Sequence, residues 1–135
     1  MQQKYRRAGR VLLWLLRVLC TLWLIQLLYQ IILAGGFISG QVEWFQGHSL
    51  NGAMLGILPF FGVVAAVVHL VLVRRRWWLI PLWLGMWLLI EVQAILGYTR
   101  VIGAHIVGGS VLLATAAILC VALWRMAPLA RQVAA

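Results

Sequence analysis

Four apolar runs, at about residues 11–34, 49–73, 77–97 and 104–124, leave this chain one kind of fold. Each run holds 21 to 25 residues, and about 20 helical residues cross the hydrocarbon of a bilayer. Strands are excluded, because nothing alternates at period two and a membrane strand needs only about 9–11 residues. The expected architecture is an all-α membrane protein, a four-transmembrane-helix up-down-up-down bundle forming a single domain over residues 1–135. Composition agrees: 65% of the 135 residues are apolar and 10% are charged, against about 25% charged in a soluble domain, and the mean hydropathy is +1.03. No length remains for a soluble catalytic domain, so the chain is not expected to be an enzyme on its own. The first run has a basic start but exceeds the roughly 7–15 apolar residues of a signal peptide, so it is expected to be retained.

The net charge of +9 is placed for topology. Lys4, Arg6, Arg7 and Arg10 precede the first run, Arg74, Arg75 and Arg76 separate the second from the third, and Arg125 and Arg131 follow the fourth. Basic residues flanking spans set orientation and meet anionic head groups. This pattern argues against nucleic acid as a partner and for the lipid bilayer. By the positive-inside rule both termini and the 74–76 loop are cytoplasmic, as in a bacterial inner membrane, and the loops at 35–47 and 98–103 face outward. Trp14, Trp77, Trp78 and Trp124 fall at the basic end and Trp44 at the other, as an aromatic belt requires. Arg17, inside the first run, is expected to snorkel to the interface. Cys20 and Cys120 lie in apolar runs without metal or redox spacing and read as small buried hydrophobes.

A weak repeat runs through the chain. Gln30-Ile-Ile-Leu-Ala-Gly precedes His48-Ser-Leu-Asn-Gly, and Gln93-Ala-Ile-Leu-Gly precedes His105-Ile-Val-Gly-Gly. Each half is a helix ending in QxxL, a loop, then HxxxG at the start of the return helix. Two hairpins in the same sense imply a pseudo-twofold axis along the membrane normal. His48 and His105 then share one depth on diagonal spans. Facing imidazoles across a bundle core are what a six-coordinate haem b needs, because the porphyrin supplies four equatorial nitrogens. Gly52 and Gly109, one turn beyond each histidine, would let a flat macrocycle approach. The alternative is ordinary packing: GxxxG brings helices together, and a histidine at a helix end hydrogen-bonds in the interface. The matched depth of two histidines favours the haem site.

Other polar residues admit two readings each. Glu91 lies within the third run, where a charge is costly, so it is expected to face the bundle interior or to be neutral. It either serves a ligating histidine, a proton or a quinone, or packs against Gln26, Gln30 or Gln93. Arg100 either pairs with a haem propionate or is a solvated loop charge. His69 falls near the basic end with no second histidine at its depth; it reads as an interfacial residue beside Arg74–Arg76, with a quinone or proton-uptake contact as the other reading. No Ser/His/Asp set, phosphate loop or carboxylate pair is present, which excludes hydrolase and nucleotide chemistry. The spans show no broken helices and no central polar cluster, which disfavours a transporter.

The stretches GHSLNGAMLGILPFF and VQAILGYTRVIGAHIVGGSVLLA resemble one four-helix half of haem A synthase. They are also similar to small uncharacterised four-helix membrane proteins of the same layout. The resemblance covers about residues 24–123 and implies that His48 and His105 ligate haem near the outer face. That enzyme has two halves and a catalytic glutamate one turn before a histidine. Here there is one half, and Glu43 stands five positions before His48 in a loop. The resemblance thus implies haem b binding and electron transfer rather than haem A synthesis. The competing expectation is a non-catalytic accessory subunit of a respiratory or photosynthetic complex, contacting quinone or chlorophyll. Trp83 and Trp87, read as exterior residues, suggest a partner, and an ordered Ala-rich tail would need neighbours to hold it.

Reporter fusions at Gly40 and Arg75 test the topology. They should report opposite sides of the membrane, with Arg75 cytoplasmic; the same side for both would refute the four-span arrangement.

Overall fold

The computed structural model describes residues 2–74 and 76–127. Arg75 and the tail from residue 128 on, Arg131 included, lie outside them, as do the side chains of Lys4 and Arg6. Five helices follow in order: α1 Gln2–Ile38, α2 Trp44–Met54, α3 Ile57–Val73, α4 Leu79–Tyr98 and α5 Ile102–Arg125. They form four candidate spans of 32, 30, 20 and 24 residues, all apolar enough to cross a bilayer, with α2 and α3 sharing the second. No strand occurs among the described residues. The chain is an all-α integral membrane protein with a four-helix bundle fold.

The bundle is a square. Substantial contacts join α1 to α3, α3 to α4, α4 to α5 and α5 back to α1, so spans two and four are diagonal. The reason lies in one spacing. Buried residues recur three and four apart: Leu13, Leu16, Cys20, Trp23 and Leu27 on α1; Leu79, Trp83, Met86, Ile90 and Gln93 on α4; Leu112, Ala116, Leu119 and Leu123 on α5. This places each set on one face of its helix, as in left-handed bundles. Trp83 is therefore a core residue, completely buried, and not part of the exterior. Its ring lies against Gly62, where a Cβ would collide with it, and 6.5 Å from the Trp23 ring. Cys20 and Cys120 are buried and free. His69 is also fully buried, on the α3 stripe with Gly62 and Ala66, and so is not interfacial.

The second span is broken, contrary to the expectation from hydropathy. Helix α2 ends at Met54 and α3 starts at Ile57. Pro59 has no N–H, so it cannot bond the carbonyl four residues back, that of Leu55. The Trp23 indole supplies the missing donor: its Nε1 donates to Leu55 O at 3.0 Å. A buried carbonyl in a bilayer finds no water, so this bond replaces what the helix lost.

Arg17 is buried at 6% exposure rather than snorkelling. Its Nε donates to Leu123 O at 3.0 Å and an Nη donates to Met126 O at 2.6 Å. The last carbonyls of a helix have no intrahelical donors and carry partial negative charge, so a guanidinium suits them. Trp14 and Trp124 cover the group, with its carbon 5.1 and 5.4 Å from their rings. Arg76 donates to Ala127 O beside it.

The loop expected at 35–47 is mostly helical. α1 runs on to Ile38 and α2 begins at Trp44, whose ring lies against Gly36 where any Cβ would collide. Both turns at this end close in the same way. Gly40, at φ 93°, donates to Phe37 O while Gln41 donates to Gly36 O. Arg100, at φ 59°, donates to Gly97 O while Val101 donates to Leu96 O. These are paired Schellman closures with a left-handed residue at the position after the cap. Gln30 precedes Gly40 by ten residues and Gln93 precedes Arg100 by seven; His48 follows by eight and His105 by five. The first hairpin is thus the second with about one turn added to each arm.

The Trp23–Leu55 bond can be measured by a double-mutant cycle. Trp23→Phe should cost about 1–3 kcal/mol of stability in a detergent unfolding titration. In a Pro59→Ala background the cost should shrink, because the restored N–H serves Leu55 O. Equal costs in both backgrounds would show that the indole plays no such part.

Candidate functional site: a histidine pair on glutamine carbonyls

At the end opposite the arginines the four stripes turn polar. The next stripe position on α1 is Gln30 and on α4 Gln93; His105, on α5, lies seven residues before Leu112, and His48, on α2, seven before Leu55. His48 is the fifth residue of α2 and His105 the fourth of α5, so both sit one turn inside their helices. The structure brings the two rings together across the diagonal. Their centres are 6.2 Å apart and their planes meet at 81°.

Each ring is held by the backbone of the other residue type. His48 Nδ1 lies 3.3 Å from Gln30 O, and His105 Nδ1 lies 2.9 Å from Gln93 O. A carbonyl accepts and cannot donate, so each Nδ1 carries the proton and each Nε2 keeps a lone pair. That is the tautomer of a metal-ligating histidine whose other nitrogen is fixed by a carbonyl. The repeat in the sequence is therefore a repeat in the hydrogen bonding. Both carbonyls lie inside the hydrogen-bonded part of their helices and take the imidazole on the second lone pair of the oxygen.

The glutamine side chains fill the glycine notches. Gln30 Nε2 lies 3.1 Å from where a Cβ of Gly52 would be, and Gln93 Nε2 occupies the space of a Cβ at Gly108. Gly109 is looser, with Gln93 Oε1 at 3.7 Å from its Cβ position. The two amides differ in their bonding. Gln30 Nε2 donates to His48 O at 3.0 Å and stands 3.4 Å from His48 Nε2, while Gln30 Oε1 accepts from Asn51 Nδ2 at 2.7 Å. Gln26 joins through Asn51 Oδ1 at 3.4 Å. Gln93 is buried at 8% exposure, and its Oε1 has no partner among the described residues. Asn51 was not singled out from the sequence, and Gln26 only as a packing partner for Glu91; their signal was a second and third polar residue one turn from Gln30 and His48.

Two expected site residues are elsewhere. Glu91 is exposed on the outer side of α4, beside Gly56 and Trp87, and neither faces the interior nor bonds a histidine. It is two residues from Gln93, hence about 200° around the helix from the stripe. Arg100 is exposed in the left-handed turn five residues before His105. A non-glycine residue there costs about 1–2 kcal/mol, where Gly40 does the same job in the other hairpin without that cost.

No family model, curated protein or solved structure matches this chain.

A test of fit for a haem rests on these atoms. Two imidazoles binding one metal through Nε2 at about 2.0 Å each hold their ring centres about 6 Å apart; the ring centres here lie 6.2 Å apart, and His48 Nε2 faces the Gln30 amide nitrogen at 3.4 Å. No group of three or more His, Cys, Asp or Glu that could hold a bare metal ion occurs among the described residues. A pair of axial ligands needs no such group, since a porphyrin brings four nitrogens. The two amides in the notches are the obstacle, and the unpaired Gln93 Oε1 marks the one with least to lose by moving.

Asn51→Leu should destabilise the bundle by about 1–3 kcal/mol, because it strands Gln30 Oε1 and the Gln26 amide. Thermal unfolding in detergent measures it; no loss would mean that the network adds nothing to stability.

Proposed function

We propose that the chain binds one haem b through His48 and His105 and serves in electron transfer near one face of the membrane. The observation that carries this reading is the pair of rings 6.2 Å apart, each with its Nδ1 on the carbonyl of a repeated glutamine. A purely structural pair would be better served by one histidine donating to the other, whereas here each Nδ1–H is donated to a carbonyl. A bound haem would supply one-electron chemistry. The chain's own residues would fix both axial nitrogens, exclude water with the apolar stripe beneath them, and offer Arg100 to a propionate. The resemblance to a haem A synthase half points the same way. With one half and Glu43 at the N-terminus of α2 rather than one turn before His48, the role is ligand and electron carrier, not haem A synthesis. The charge pattern supports a bacterial inner membrane with both termini and the basic end cytoplasmic, which puts the histidine pair near the outer face.

The second reading is a subunit of a larger respiratory or photosynthetic membrane complex. Glu91, a carboxyl turned to the lipid side, favours it, because such a group calls for something outside the bundle. The two readings are compatible in one protein.

Purified protein reconstituted with haem b and scanned oxidised and dithionite-reduced should give a six-coordinate spectrum. His48→Ala or His105→Ala should leave a five-coordinate or empty site, with affinity down by more than the roughly 10–100-fold typical of losing a ligand's supporting partner. His69→Ala should leave the spectrum unchanged. Spectra indifferent to the first two substitutions would overturn the proposal, and the subunit role would then stand alone.

A further inference from the structure

On the lipid side of α4 lies a shallow cleft of about 260 Å³, lined by Ala53, Gly56, Ile57, Phe60, Trp87 and Glu91. Gly56 forms its floor, at the break between α2 and α3. A Cβ added there would lie 2.8 Å from Glu91 Oε1 and 3.5 Å from Trp87 Nε1, so a carboxyl and an indole N–H converge on the same point. Neither makes a hydrogen bond among the described residues. The aromatic walls are Phe60 and Trp87, with ring centres 5.9 Å apart and planes tilted by 59°. Polar groups aimed into lipid are costly unless answered, and acidic side chains in spans nearly always turn inward. This one turns outward, in a recess with a donor beside it.

We infer that this cleft binds the headgroup of a membrane quinone, with Trp87 Nε1–H and the Glu91 carboxyl engaging its ring oxygens. The ligand has to arrive through the bilayer, because the cleft opens laterally between two spans. It has to present a flat ring to Phe60 and Trp87. It has to carry oxygens that accept from an indole and exchange hydrogen bonds with a carboxyl. A cleft that encloses a drug-sized molecule measures about 300–1,000 Å³, so this smaller one holds a single substituted ring and leaves the isoprenoid tail in the lipid. A quinone meets all four conditions. Acyl chains lack the ring and the oxygens, and phosphate head groups lie too far toward the interface.

The position gives the site a use. Gln93, two residues along α4, faces inward and its carbonyl holds His105. The cleft and the histidine pair thus occupy opposite sides of one helical turn, separated by about one helix diameter, 10–12 Å. The binding site stands on its own geometry; its value as a neighbour of a redox centre rests on the haem reading.

Decylubiquinone titrated calorimetrically into nanodiscs with and without the full chain tests the site. Saturable one-site binding should appear only with protein, and decylbenzene should not compete. Glu91→Leu and Trp87→Phe should each weaken binding by about tenfold while far-ultraviolet circular dichroism and melting stay unchanged. The His48→Ala/His105→Ala double variant should bind as wild type does, so failure of the haem reading leaves this result intact. No saturable binding, or equal binding by the Glu91 and Trp87 variants, overturns the inference. So does a second polypeptide that copurifies with wild type and is lost in Glu91→Leu, since a partner helix would then own the cleft.

Discussion

A bilayer core offers no hydrogen bonds, so each polar atom carried into it must be answered from inside the bundle. That constraint accounts for the polar contacts of this chain. Pro59 leaves Leu55 O without a donor and Trp23 supplies one. The end of α5 leaves carbonyls bare and Arg17 covers two of them. His48 and His105 each bring a donor that needs an acceptor, and the chain provides backbone carbonyls on the adjacent helices. Glu91 is not answered in this way, nor, among the described residues, are Gln26 Oε1, Trp83 Nε1 and Gln93 Oε1.

The same stripe that builds the core also aims the site. From the basic end most inward positions are Leu, Trp, Cys, Met and Ala, with Arg17 and His69 among them; toward the far end Gln30, Gln93, His48 and His105 come in. On α1, α4 and α5 the helix runs unbroken through that boundary. Packing that fixes Trp23, Trp83 and Leu119 therefore also fixes the directions of Gln30, Gln93 and His105. An imidazole set on a continuous helix inherits the rigidity of the core below it, which suits ligation better than a loop would. The gap between α2 and α3 falls between the two regions, at Leu55–Gly56, and there Trp23 ties the span back to α1.

The four spans and the diagonal placement of the histidines were legible because hydropathy and spacing are properties of single segments. Trp83 and Glu91 follow the stripe rather than their own hydropathy. Positions 79, 83, 86, 90 and 93 keep the three-four spacing, which puts Trp83 and Gln93 inside and Glu91 outside; the sequence held that information. Pro59 after Gly56 was likewise a visible warning of a break. Arg17 was different. Its burial depends on where α5 ends in space, 106 residues away in sequence from Leu123, and no local pattern reports that. The tautomers of the histidines also depend on which carbonyl each ring meets.

The two hairpins are alike in logic and unequal in detail, and the inequality is informative. Both use a glutamine carbonyl, a Schellman turn and a histidine on the return helix. In the longer hairpin the glutamine amide is tied to Asn51 and to the backbone of His48, and the left-handed turn position is a glycine. In the shorter one the amide oxygen is unpaired and the turn position is Arg100. The longer hairpin has an unpaired amide oxygen too, at Gln26, one turn below Gln30. The second half keeps a left-handed arginine five residues before His105 and an unpaired amide oxygen on Gln93, about two turns before that arginine. Strain and unpaired polar atoms persist where something other than stability selects them. On the haem reading proposed above, Gln93, whose amide oxygen is unpaired among the described residues, is the side chain that would give way, so the ligand would enter on the His105 side.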